Sequence, residues 1–166
     1  YNVDLKWDFN PTPTELISLT AFYKLIKNPI SRIEVASAGG YLSYENIADK
    51  ATVAGVEVEV RKNLFVRPLS SAANGMNKLS FGLNGSYIYT NAKMPLATVT
   101  TGSQLEGAAP WIANFDLSHN FTKGNHSFIN TLVFNYVSDK IYTIGTQGYQ
   151  DIIEQGMMTL DFVSQA

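Results

Sequence analysis

The residues that could carry acid–base, nucleophilic or metal chemistry are few in this sequence. His119 and His126 are the only histidines and there is no cysteine, so the ligand set is too small for a dedicated metal cage. Asp151 and Glu154 form an acidic pair, for which a solvated loop, or a divalent ion shared with surface sugar, is favoured over a substrate role. No G-x-S-x-G, phosphate-loop or dinucleotide motif occurs. The sequence therefore predicts no catalytic residue, no metal site, no cofactor and no enzymatic activity.

Tyrosines outside the regular patterns are better candidates for a function, as ligand contacts. A tyrosine ring offers apolar area and a polar tip at a low cost in side-chain entropy. The candidates are Tyr41, Tyr44, Tyr142 and Tyr149. We predict that they contact a ligand from loops, and the alternative is that they pack the loops together.

Segments that alternate apolar and polar residues with a period of two must position these loops. Such alternation is typical of strands with one wet face. In the first segment the apolar residues are Val3, Leu5, Trp7 and Phe9. The other segments run over about 17–23, 56–61, 79–90, 111–121, 128–136 and 157–162. The sequence predicts an all-β antiparallel fold of about seven strands.

Charge and hydropathy restrict the classes of protein that remain. The 12 basic residues are scattered singly among 14 acidic ones, which predicts no nucleic-acid partner. The first residues show neither a methionine nor a signal peptide, and no apolar run reaches the roughly 18 residues of a spanning helix. If the protein is membranous it must therefore be a β-barrel, in which strands of about ten residues satisfy every backbone polar group.

The connections between the predicted strands alternate in length. Those at 10–14 and 122–125 are short, whereas those at 26–41, 91–109 and 138–156 are long. This alternation is typical of an up-and-down membrane barrel with short periplasmic turns and long extracellular loops. The connection at 62–77 is an exception, because it falls on the short side and is too long for a simple turn.

The aromatic residues form two bands once strand directions are assigned from the loop lengths. The band near the short turns contains Trp7, Phe9, Phe81, Phe121 and Phe128. The band near the long loops contains Tyr23, Tyr87, Tyr89, Trp111 and Tyr136. Aromatic girdles at both water interfaces are typical of membrane barrels. We therefore favour a transmembrane β-barrel, and the alternative is a soluble β-sandwich binding module, for instance for carbohydrate.

The segment at 56–61 shows what each face of such a barrel would do. Its valines would face lipid, and the alternate residues Glu57, Glu59 and Arg61 would face the lumen. There they could contact a plug or line the translocation route. The alternative is a solvated lumen wall.

Three stretches of the sequence also resemble a known family. They are 15–30 (ELISLTAFYKLIKNPI), 46–62 (NIADKATVAGVEVEVRK) and 105–114 (LEGAAPWIAN). Their content, order and spacing are similar to barrel strands and loop starts of TonB-dependent receptors, especially those of Bacteroidetes-type bacteria.

The resemblance implies a bacterial outer-membrane protein with a 22-stranded barrel and an N-terminal plug. It implies uptake of a scarce nutrient, such as an iron chelate, vitamin, glycan or peptide, with energy from the TonB complex. The implied partners are outer-membrane lipid, the TonB complex through a plug domain absent from this chain, a bulky ligand, and in some receptors a surface lipoprotein. On this basis residues 1–166 are expected to be a partial barrel domain, since seven strands, no plug and no terminal aromatic do not make the whole. A porin that needs no plug is a further alternative.

Overall fold

Regular structure in this chain consists of β-strands of two length classes. The computed structural model describes residues 1–35, 39–69, 75–93, 104–146 and 148–166. The long strands are β1 (Asn2–Phe9), β2 (Leu16–Lys27), β5 (Lys50–Pro68), β6 (Met76–Ala92), β7 (Trp111–Lys123), β8 (His126–Val137) and β11 (Met157–Gln165). The short strands are β3 (Ile30–Glu34), β4 (Leu42–Asn46), β9 (Lys140–Thr143) and β10 (Ile152–Glu154). In the described ranges there is no helix long and apolar enough to cross a membrane.

The long strands form one antiparallel sheet whose spatial order follows the chain. The order is β1-β2-β5-β6-β7-β8-β11, and each strand pairs antiparallel with its neighbour. This is an up-and-down sheet, and it confirms the predicted all-β fold and each of the seven predicted strands. Within the described residues the sheet is open, because β1 and β11 each pair with one strand only.

The register of the sheet places apolar residues beside apolar residues on one face. Val58 lies opposite Leu19 on β2 and Gly85 on β6, and Gly85 lies opposite Ala113 on β7. The row continues through β8 to Met158 on β11. We term this side the apolar face, and the side that carries the alternate residues the polar face. A slip of one residue in any strand would reverse its faces, so the pattern specifies the register.

The apolar face is bare even in the middle of the sheet. Val56, Val58 and Leu83 lie on strands with neighbours on both sides and are still 45%, 39% and 40% exposed. No second layer of sheet covers this face in the part of the chain that the structure describes. A β-sandwich would need such a layer to bury its core. The single-layer sheet therefore fits a barrel wall.

The structure replaces most of the long connection predicted at 62–77 with strand. β5 and β6 stay paired as far as Pro68 opposite Met76, so the connection is only 69–75. A bulge shifts the register between Asn63 and Phe65. Because the extra residue reverses the alternation of β5, the period-of-two pattern of the sequence ends there although the strand continues.

A close approach on the polar face depends on a glycine. Phe22 on β2 lies opposite Gly55 on β5, and its ring occupies the space where a side chain would project. A Cβ at Gly55 would also lie 2.6 Å from the carbonyl oxygen of Tyr87. An aromatic ring over a strand glycine restores the packing that the missing side chain leaves out.

Candidate functional site: the loop cap and the charged wall

The long connections at one end of the sheet pack into a single unit, which we term the loop cap. It comprises 28–35, 39–49, 104–110, 138–146 and 148–156. Its apolar core, together with the adjoining ends of β5 and β6, consists of Ile33, Ile47, Ala48, Ala51, Ala92, Leu105, Ile141 and Ile144, each at most 8% exposed. Six of these eight residues lie in the loop cap, and Ala51 and Ala92 lie at the cap ends of β5 and β6, so the buried apolar cluster of the described residues is at this end and not along the sheet. Burial of this kind gives the loops a fixed arrangement.

Backbone hydrogen bonds connect the loops that share this core. Ile144 donates its N–H to the Arg32 carbonyl over 3.0 Å, and its own carbonyl accepts from Glu34 over 3.2 Å. These bonds join the connection after β2 to the one after β8. Gly107 donates to the Ile141 carbonyl over 2.8 Å and brings in the connection after β6. The cap therefore behaves as one body built from three separate stretches of chain.

Arg32 is the most highly connected charged side chain in the cap. Its guanidinium lies 4.3 Å from the ring centre of Tyr142 and 5.7 Å from that of Tyr44. Its Nε lies 3.8 Å from Oε1 of Glu106, and Oε2 of the same carboxylate accepts the Arg32 backbone N–H. Hydrogen bonding to Tyr44 is the main cause that raises the pKa of Arg32, and electrostatic interactions with Tyr142, Tyr44 and Glu106 act in the same direction. The cluster therefore holds a charged guanidinium, which Glu106 partly balances, against two aromatic rings.

The four tyrosines predicted to contact a ligand thus fall into two groups. Tyr44 and Tyr142 lie together around Arg32, with exposed ring surface on their outer sides. Tyr41 and Tyr149 are also exposed, and among the described residues neither ring contacts the Arg32 guanidinium. The Tyr41 carbonyl accepts from Val35, and the Tyr149 N–H donates to Thr146, so the backbones of both are anchored. All four side chains are on the cap, where a ligand arriving from outside could meet them.

The acidic pair of the sequence is divided between two separate contacts. Asp151 accepts a hydrogen bond from the Gly145 N–H over 2.8 Å, and burial raises the pKa of its carboxyl. Glu154 forms an ion pair with Lys140 at 3.2 Å. Each carboxylate therefore holds part of the cap together. Among the described residues, no group of three or more potential metal ligands comes together.

The three charged residues at 57–61 lie side by side on the polar face of β5. Arg61 and Glu59 form an ion pair of 2.7 Å, although both side chains remain partly exposed. Glu57 lies opposite Thr20 on β2 and Ser86 on β6 and has no ion-pair partner within the described ranges. We term these residues, Glu57, Glu59 and Arg61, the charged wall. It offers one uncompensated carboxylate to whatever fills the space beside it.

The histidines have ordinary surroundings. His119 lies on the apolar face near the short-turn end, and its Nε2 is 2.9 Å from the amide oxygen of Asn77. His126 begins β8 directly after the turn at Gly124. The two side chains belong to different strands and share no hydrogen-bond partner among the described residues.

Arg32 and Glu106 were not among the residues that the sequence singled out. The stretch Ile30–Glu34 reads ISRIE and does not alternate apolar and polar residues, so its local pattern gave no signal for β3. Nothing local could pair Arg32 with a carboxylate 74 residues further along the chain.

A single-layer up-and-down sheet with one bare apolar face and packed loops at one end defines the class of the chain, a wall of a β-barrel. A family model described as "TonB dependent receptor-like, beta-barrel" matches residues 1–162. The chain therefore belongs to this family of TonB-dependent outer-membrane transport receptors. The searches of curated proteins and of solved structures gave no match.

Proposed function

We propose that this chain is part of the barrel of an outer-membrane transporter of the Bacteroidetes type, which admits a bulky nutrient without making or breaking a bond. The observation that carries the proposal is the apolar face, which runs without interruption across the seven long strands and is bare in its centre. In water a patch of this size would promote association, whereas against lipid it is stable. The family match supports the same arrangement.

The polar face then lines the inside of the barrel. The charged wall at Glu57, Glu59 and Arg61 contributes charges that water or a plug domain can solvate, and Glu57 is available for a basic partner group. Through such a plug the receptor engages the TonB complex. Residues 1–166 are one portion of the barrel domain in this proposal, because the described sheet has two open edges.

The loop cap is the surface that meets the ligand. It presents the exposed rings of Tyr41, Tyr44, Tyr142 and Tyr149 on a fixed framework. Preorganised aromatic rings bind at a low entropic cost, which suits an iron chelate, a vitamin, a glycan or a peptide. A surface lipoprotein that covers the cap is part of this proposal for a polymeric ligand.

Deletion of the complete gene tests the proposal directly. The mutant should lose growth or uptake on one member of a panel of limiting nutrients, drawn from the four ligand classes. Complementation with Tyr41→Ser plus Tyr149→Ser should restore less uptake at a low nutrient concentration, because these changes remove ring surface without touching the Arg32 cluster. Gln150→Ser, at an exposed neighbouring position of the cap, is the control and should restore it fully. Unimpaired uptake of every nutrient by the deletion mutant would refute the transport function.

A further inference from the structure

A cavity of about 910 Å³ opens at the cap end of β2, β5 and β6. The residues that line it are Leu25, Asn28, Asn46, Ile47, Ala48, Asp49, Lys50, Thr52, Asn91 and Lys93. Three of them are asparagines and two are lysines, so the lining offers several N–H donors against one carboxylate. Such a donor set suits a ligand that carries anionic oxygens.

Two of the lysines that line the cavity, Lys50 and Lys93, belong to a row of three lysines on adjacent strands. Lys27 on β2 lies opposite Lys50 on β5. Ala51 lies opposite Ala92 on β6, so Lys93, the next residue, continues the row. We term Lys27, Lys50 and Lys93 the lysine row. All three are exposed, and they share the parity of the apolar face, since Tyr23, Ala54 and Tyr89 form a row on the same side four residues away.

The described residues form no ion pair with these three lysines. Within the described ranges ion pairs form at Lys6, Arg32, Arg61 and Lys140. None of them involves the lysine row. Like charges directly opposite on neighbouring strands destabilise a sheet. Asp49 is the one acidic residue that lines the cavity, and it cannot balance three ammonium groups. Among the described residues no further carboxylate lines the cavity, so a negative charge from outside the chain would be stabilised beside the row.

The position of the row indicates the source of that charge. Tyr23 and Tyr89 belong to the aromatic band at the cap end, and four residues of strand rise about 13 Å. With a strand tilt of roughly 40°, the row stands about 10 Å above this band along the membrane normal. That level is the headgroup layer, into which lysines extend while their stems cover apolar surface. A soluble anion would meet the polar face or the loops equally well, whereas this row is on the side that meets lipid.

We infer that the lysine row and the asparagines of the cavity bind the phosphate group of an anionic lipid in the outer leaflet. The inference rests on the proposed function, because that function places the apolar face against lipid. It adds a specific lipid site to the barrel. Basic pockets beside a membrane surface bind anionic headgroups in this way, and each lysine contributes roughly a fivefold gain in affinity.

Native mass spectrometry of the complete receptor in detergent tests the site. The probes are phosphatidylglycerol, zwitterionic phosphatidylcholine and inorganic phosphate. The test variant combines Lys27→Gln, Lys50→Gln and Lys93→Gln. The matched control combines Lys6→Gln, Lys24→Gln and Lys78→Gln, which remove the same charge from the polar face.

The wild type and the control should bind phosphatidylglycerol more tightly than phosphatidylcholine. The lysine-row variant should bind phosphatidylglycerol on the order of 100-fold more weakly, with binding of phosphatidylcholine unchanged. Equal binding of phosphatidylglycerol by the wild type and the lysine-row variant would overturn the inference, and so would an equal loss in the control. Full displacement by inorganic phosphate would assign the site to a free anion instead of a lipid.

The behaviour of the same proteins on gels separates this inference from the proposed function. If all three show heat-modifiable migration after refolding into vesicles but no lipid preference, only the lipid site fails. If the wild type does not enter vesicles at all, the barrel assignment itself fails.

Discussion

Val58→Arg places a charge in the centre of the bare apolar face. On β5 this residue is four positions from Ala54, which is level with Tyr23 and Tyr89, and four from Lys62, which is level with Phe81. Each interval is about 13 Å of strand, so Val58 lies midway between the two aromatic bands. If the apolar face meets lipid, the new guanidinium is at the middle of the bilayer.

The expected cost follows from that depth. An arginine on the lipid face at the bilayer midplane reduces the stability of a barrel by about 2 to 4 kcal/mol. Steric strain adds little, because Val58 is 39% exposed and lies beside Gly85, where even an added Cβ would have its nearest neighbour 3.9 Å away. The effect therefore reports the surroundings of the face and not a clash within the sheet.

Two matched variants separate lipid exposure from a general intolerance of charge. Val133→Arg is the same chemical change on the polar face of β8, between Asp116 on β7 and Asp161 on β11. It should be tolerated, because two carboxylates lie in register beside it. Glu57→Gln removes a polar-face charge that has no ion-pair partner among the described residues, and should change stability by less than about 0.5 kcal/mol.

The assay is refolding of the complete receptor into phosphatidylcholine vesicles across a urea series, with the folded fraction read from heat-modifiable gel migration. Val58→Arg should need markedly less urea to unfold, while Val133→Arg and Glu57→Gln should follow the wild type. Equal tolerance of arginine at Val58 and Val133 would mean that the apolar face is not against lipid. The assignment of the apolar face to the lipid side of the barrel would then be wrong.

Three further predictions concern local contacts. Gly55→Val should destabilise the folded barrel by about 1 to 3 kcal/mol, because the new valine side chain overlaps the Phe22 ring. Gly85→Val is the control and should not destabilise it, because the space beside Gly85 is open. The urea midpoint for refolding into vesicles distinguishes the two variants. Arg32→Gln should loosen the loop cap, seen as several-fold faster cleavage of its loops by a protease, with the barrel still heat-modifiable; unchanged cleavage would count against the cluster as a clamp. The pKa of the Asp151 carboxyl is raised in the folded cap. The contribution of Asp151 to cap stability is therefore complete when the pH is below the ordinary carboxyl pKa of 3.8, and it is lost as the pH rises through the pKa of the folded state. Asp151→Asn keeps an acceptor for Gly145 and should remove this pH dependence of cap cleavage; the same pH profile in both proteins would contradict the assignment.

The sheet could be predicted from sequence because its faces differ along every strand. Val56, Val58 and Val60 alternate with charged residues, and the pairing of the sheet preserves that alternation from strand to strand. Continuing the same parity through Ala54 and Thr52 leads to Lys50, so one member of the lysine row could have been found in this way. Its neighbours in the row depend on register, which the sequence of a single strand does not contain.

The loop cap could not be predicted because its contacts join distant parts of the chain. The short strands at Ile30–Glu34 and Lys140–Thr143 are too brief to show a clear period, and an isolated bridge between Ile33 and Ile144 links their neighbourhoods. The part of β5 after Asn63 was not predicted for a different reason, because the bulge there reverses the alternation of apolar and polar residues. The tyrosine–ligand contacts and the lumen role of Glu57, Glu59 and Arg61 stay predictions.

The shared apolar core of the cap restricts how receptors of this design can change their specificity. Ile33, Leu105 and Ile141 come from the three different connections, yet they belong to one buried cluster. A graft of one loop from a relative would leave half of an interface without its complement. New binding properties therefore have to be inherited or engineered as a set of three loops, which could be transferred together onto the strands of another barrel.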